Sequence, residues 1–128
     1  MFLTVDLDEK RPLYQQVVDG VKALIAAGEL REGMTLPPVR QVAGDLGVNL
    51  NTIAIAYRQL KDEGFLTVRH GSGAVVSSRS GRAVEEGELR RSLRTVLTQF
   101  VLGGFNDRDV VGVVRQELAA LRQKGTSR

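Results

Sequence analysis

The stretch VRQVAGDLGVNLNTIAIAYRQLKDEG, residues 39–64, decides how this chain folds. Val39, Val42, Ala43 and Leu46 recur at steps of three and four, the spacing that gathers side chains on one face of a helix. A short helix is predicted from about Pro38 to Leu46, with Gly47 as its stop. A second begins almost at once, because Asn49 is a favourable N-cap whose side-chain oxygen accepts from an N–H two or three residues on. Ile53, Ala56, Tyr57 and Leu60 mark its buried face until Gly64. Three turn residues, Gly47-Val48-Asn49, thus separate two helices, which is the helix-turn-helix arrangement.

Upstream, Leu13, Tyr14, Val17, Val18, Val21, Leu24 and Ile25 form one apolar stripe and predict a helix over 12–27. Pro12 suits the first helical position, where its missing N–H is no loss, and Gly28 can close the helix. Gly33 and Leu36-Pro37-Pro38 then give a rigid, extended entry to the second helix. Beyond Gly64 the period falls to two. Residues Phe65–Arg69 and Ala74–Ser77 read as strands around His70-Gly71-Ser72-Gly73, a hairpin with glycines in its turn. Three helices followed by a β-hairpin is the order of a winged helix.

Residues 77–83 are small, polar and basic, the composition of a linker. Two helices follow. The first, about 84–102, places Leu89, Leu93, Val96, Leu97, Phe100 and Val101 on one side. Gly103-Gly104 breaks the chain, and Asn106 suits an N-cap with Asp109 three residues on. The second, about 107–123, places Val110, Val111, Val114, Leu118 and Leu121 inward, and Gly112 within it points to close helix packing. The fold class is therefore mainly α with a small β-hairpin. An N-terminal winged helix-turn-helix domain is expected over 1–78, and a helical dimerisation domain over 79–128. Two helices alone bury little surface, which favours pairing with the same segment of a second copy.

Composition narrows the function classes. At 128 residues and 26% charged, the chain is small for most enzymes, and no apolar run approaches the roughly 20 residues of a membrane span. The opening Met1-Phe2-Leu3-Thr4-Val5-Asp6 lacks the basic start of a signal peptide. There is no cysteine and a single histidine, His70, so thiolate and multi-histidine metal sites are excluded, and no cofactor is expected. Asp6, Asp8 and Glu9 read as a solvated acidic tail. The net charge of +3 hints at a polyanion, but residues 1–78 are net −1 and residues 79–128 net +4.

A helix-turn-helix lays its second helix in the major groove, where base edges show distinct donor and acceptor patterns. Asn49, Leu50, Asn51, Thr52, Ala54 and Arg58 occupy or flank the outward side of that helix. Asparagine pairs with adenine in bidentate fashion, and threonine offers a hydroxyl and a methyl. Arg40, Arg58 and Lys61 suit phosphate contacts, although an ion pair with Asp62 one turn on competes evenly for Arg58. At the hairpin tip, Gly71 and Gly73 permit close backbone approach, and Arg69 and His70 are placed to straddle a minor groove. No nucleophile–base pairing is legible, so an enzyme is not expected.

The residues Pro12-Leu13-Tyr14-Gln15-Gln16, Gly28-Glu29-Leu30, Gly33, Leu36-Pro37, Arg40, Gly47-Val48, Asn51-Thr52-Ile53, Ala56-Tyr57, Leu60, Glu63-Gly64 and Gly71-Ser72-Gly73 resemble the N-terminal domain of GntR-type bacterial transcription regulators. The likeness covers about residues 12–76. The short two-helix tail and the wording Asn49-Leu50-Asn51-Thr52 are similar to the YtrA-like subfamily. That resemblance implies a tail that dimerises and members that often regulate membrane-transporter operons. It also implies DNA contacts by Arg40, Asn49, Asn51, Thr52, His70 and Gly71. Pro38, where many relatives have a small residue such as serine, and Leu50 and Ala54, where arginine occurs in others, depart from the pattern and bear on the operator sequence.

The sequence therefore predicts a cytoplasmic, homodimeric regulator, a repressor on double-stranded DNA with an inverted-repeat operator and no membrane partner. The sequence names no small-molecule effector. The alternative is a winged helix that binds another protein through its third helix.

Overall fold

A computed structural model describes residues 3–69, 73–82 and 84–126. The elements are α1 (Leu13–Ala26), β1 (Thr35–Leu36), α2 (Val39–Leu46), α3 (Leu50–Asp62), β2 (Leu66–Arg69), β3 (Gly73–Val76), α4 (Glu86–Leu102) and α5 (Asp107–Thr126). The architecture is the expected one, mainly helical with a small antiparallel sheet and two C-terminal helices. Pro12 is the N-cap of α1 rather than its first residue; its extended ψ of 147° leaves the carbonyl free to accept from Gln15 and Gln16.

The core is built where the apolar stripes meet. Val17, Val18, Val21 and Ile25 of α1 pack with Val42 and Ala43 of α2 and with Ile53, Ala56, Tyr57 and Leu60 of α3. Leu36, Leu66, Ala74 and Val76 close it from the sheet. Gly47 takes the left-handed conformation (φ 70°) that ends α2 and turns the chain toward α3, a region costly for a residue with a Cβ. The N-terminal arm also joins the core. Leu3 is buried, and the buried Gln16 side chain accepts from the Asp6 N–H at 2.8 Å and donates to the Asp6 and Arg11 carbonyls at 3.0 and 3.1 Å.

The sheet has three strands in the order β1-β3-β2, not the two of a simple hairpin. Thr35 pairs with Val75 and Leu36 with Ala74, while β2 pairs with β3 from Leu66↔Val76 to Arg69↔Gly73. The extended entry before Pro37 is thus the third strand. Two residues carry no readable alternation, which is why the sequence showed only extended backbone there.

Tyr57 ties this strand to the helix-turn-helix, its phenol donating to the Pro37 carbonyl at 2.7 Å. Tyr57→Phe is expected to cost about 0.5–1.5 kcal/mol, measured as a shift in the urea unfolding midpoint. Burial pushes the Tyr57 phenol above its ordinary value of 10.0. The stability it contributes is present below that value and is lost as pH rises through the folded pKa, so the variant lacks this alkaline loss.

The tail departs from the inward packing expected of it. No residue of α4 is buried, and Leu89, Leu93, Val96 and Val101 are all about half exposed or more. In α5 only Val110 of the expected stripe is buried, where the helix packs against α1; Val111, Val114, Leu118 and Leu121 are exposed. Gly112 has nothing within 4 Å of where a Cβ would lie, so among the described residues the close packing read from it is not made. Periodicity tells which residues share a face, not what covers that face. The Asn106 cap is as expected, accepting from the Asp109 N–H at 2.9 Å. No helix among the described residues is long and apolar enough to cross a membrane.

Candidate nucleic-acid interface

The turn between α2 and α3 is held from inside. The Val48 N–H donates to the Ala43 carbonyl at 3.0 Å, and the Val48 side chain packs against the core. Asn49 then stands at the N-cap of α3, and its side-chain oxygen accepts from the Asn51 N–H at 2.7 Å. This cap sets the phase of α3. Ile53, Ala56, Tyr57 and Leu60 turn inward, so Asn51, Ile55 and Arg58 lie along the exposed face with Thr52 half-buried beside them.

Of the residues singled out from sequence, α3 therefore brings Asn51, Thr52 and Arg58 to one surface. Asn49 sits at its rim with its oxygen engaged in the cap, which leaves the amide nitrogen and the oxygen's second lone pair for an outside partner. The ion pair weighed for Arg58 with Asp62 is not formed; Arg58 has no ion pair among the described residues and is exposed. Arg40 is likewise exposed in the first turn of α2. Pro38 is the N-cap of that helix and supplies no side-chain cap, so the first-turn amides beside Arg40 suit an anion.

The backbone of Arg69 lies in β2 opposite Gly73. The Arg69 side chain, and His70 and Gly71 altogether, fall outside the described residues. Sequence reasoning missed Ile55. With Leu50 it places apolar atoms on the outward face, at 43% and 40% exposure, of the kind that pack against a thymine methyl group. The signal was available, since Ile55 lies one turn from Asn51 and out of phase with the buried stripe.

The far end of α3 is polar and paired. Lys22 donates to the Glu63 carboxylate at 2.6 Å and lies 5.4 Å from the centre of the Phe65 ring. Partial burial pushes the Glu63 carboxyl up, but hydrogen bonds from Lys22 and Gln59 and the charges of Lys22 and Arg82 outweigh it, so it sits below the usual range. Asp6, Asp8 and Glu9 do not form a site: Asp6 accepts from the Asp8 N–H, and Glu9 pairs with Arg11. No group of residues that could hold a metal ion is present among the described residues.

The family model for bacterial regulatory proteins of the gntR family matches residues 13–76, half of the chain. The chain belongs to the gntR family. Among its relatives, the transcriptional repressor YtrA of Bacillus subtilis is 30% identical over 87 residues, covering 68% of this chain and 67% of YtrA. The probable rhizopine catabolism regulatory protein MocR of Rhizobium meliloti is 41% identical over 76 residues. That match covers 59% of this chain but only 15% of MocR. A solved structure of YtrA from Sulfolobus acidocaldarius, described as a GntR-family transcription factor, superposes with a TM-score of 0.63 at 39% identity. It covers 77% of this chain and 99% of that one. Both the gntR assignment and its YtrA-like branch agree with what the sequence motifs implied.

Proposed function

We propose that this gntR-family chain is a sequence-specific DNA-binding transcriptional regulator, acting as a homodimeric repressor on an inverted-repeat operator in the cytoplasm. One observation carries the reading: the Asn49 cap phases α3 so that Asn51, Thr52, Ile55 and Arg58 form its outward surface, opposite the buried Ile53, Ala56, Tyr57 and Leu60. Asn51 and Thr52 read base edges, while Arg40, Arg58 and Lys61 hold phosphates. Arg69, His70 and Gly71 are the residues assigned to contact with the minor groove. Asn49 contributes chiefly by capping.

The chain divides functionally near residue 78, with the winged helix before it and the dimerising tail after it. Val111, Val114, Leu118 and Leu121 follow the 3-4-3 spacing of a helix–helix seam, and Leu89, Leu93 and Val96 follow a 4-3 spacing on α4. Both seams are exposed in the single chain, and a second copy covers them. Repression follows from occlusion of a promoter, without a catalytic step, cofactor or membrane partner. Selection of bound duplexes from a random-sequence DNA library tests the reading. It is expected to return two inverted half-sites; a library that stays random after repeated rounds contradicts it.

A further inference from the structure

The segment that joins the winged helix to α4 carries two arginines, and each serves the carbonyl end of a different helix. The last carbonyls of an α-helix have no partner inside it. In α3 the Gln59, Leu60 and Lys61 oxygens accept from the N–H groups of Glu63, Phe65 and Gly64 at 2.9, 2.9 and 3.0 Å. The next two go to Arg82. Its guanidinium donates to the Asp62 carbonyl at 2.8 Å, and its own N–H donates to the Glu63 carbonyl at 2.6 Å. Arg79 does the same for α1, donating to the Ala26 carbonyl at 2.9 Å while its N–H reaches the Glu32 carboxylate at 3.1 Å. A cation at a helix C-terminus is favoured by the helix dipole as well as by these bonds.

The fit is steric too. Gly81 has φ 60°, and a Cβ there would stand 2.7 Å from the Phe65 ring and 2.8 Å from the Glu63 oxygen. Ser77 fastens the other side, its N–H donating to the Phe65 carbonyl at 2.9 Å and its hydroxyl to the Gly64 carbonyl at 3.2 Å. Only four residue steps lead from Arg82 to Glu86, where α4 begins, a reach of at most about 14 Å. Arg82 thus ties the end of α3 to the segment that leads into α4, beside the contact of α5 with α1.

We infer that Arg82 is a positioning residue that sets the half-site spacing, by fixing the recognition helix relative to the dimerising tail. The inference rests on the proposed reading of a homodimer on an inverted repeat. In such a dimer the two copies of α3 reach both half-sites together only at a matching separation. Each inserted base pair moves one half-site by about 3.4 Å and about a tenth of a turn.

The test uses the full chain and duplexes selected by it from a random library, rebuilt with one to three base pairs added or removed at the centre, together with a single half-site duplex. The wild type is expected to bind the selected spacing about 100-fold more tightly than one changed by two base pairs. Arg82→Ala and Gly81→Ala flatten that preference to within about threefold, with dimerisation and single half-site affinity unchanged, and Arg82→Lys retains most of it. An unchanged spacing profile in both Arg82→Ala and Gly81→Ala overturns the inference. So does an equal loss of affinity on every duplex, which marks mere support of α3. A wild type that binds two half-sites no better than one contradicts the dimeric reading itself, a result distinguishable from the other two.

Discussion

Asn51→Ala combined with Thr52→Ala is expected to abolish most sequence-specific binding while leaving the fold in place. Asn51 is exposed and Thr52 is half-buried, and the side chains that hold α3 to the core lie on its opposite face. Each lost base contact costs about 1–3 kcal/mol, or about 5- to 150-fold in affinity. Because neither side chain provides the cap, which belongs to Asn49, thermal stability stays close to wild type. Competition against a base-scrambled duplex separates the effects: specific affinity falls, and the weak scrambled affinity, held by phosphates, does not. Retention of full specificity in the double variant removes α3 as the reading element.

Leu93→Glu carries the second large effect. Leu93 is 51% exposed in the single chain, so a carboxylate there leaves each copy folded. Across a seam covered by a second copy, the same carboxylate loses its water without gaining a partner. Dimerisation is expected to weaken by about 100-fold or more, seen as monomer at micromolar concentration in sedimentation equilibrium. Binding to a two-half-site duplex then falls by about 10²–10⁴-fold, since the second half-site no longer adds to the first. An unaffected dimer places the interface elsewhere.

The interface helix was legible because two independent signals agree there. Asn49 marks where α3 starts, and the Ile53-Ala56-Tyr57-Leu60 stripe fixes its phase, so the outward positions follow. Strand β1 was hidden by its brevity. The Arg82 tie was hidden for another reason: Arg79 and Arg82 bond to main-chain carbonyls, which every sequence possesses, so a small, polar, basic segment reads as a tether. The same two residues show why net charge was a weak guide. Part of the tail's positive excess caps helices within the chain, whereas the cations proposed to face DNA belong to residues 1–78, which are net −1. Leu3 and Gln16 teach a similar lesson, since an arm with no period of its own is fixed by one buried amide.

Equilibrium binding to the library-selected duplex and to its scrambled counterpart, at about 50 and about 200 mM salt, tests the central claim most directly. With Arg40, Arg58 and Lys61 assigned to phosphates, a dimer would bring six such cations, which predicts a loss of about a thousandfold in affinity across that range. The selected duplex is expected to bind at least about 10³-fold more tightly than the scrambled one at the higher salt. Equal affinity for both duplexes, or binding that does not respond to salt, would contradict a DNA-reading α3 and leave its outward face as a surface for another protein.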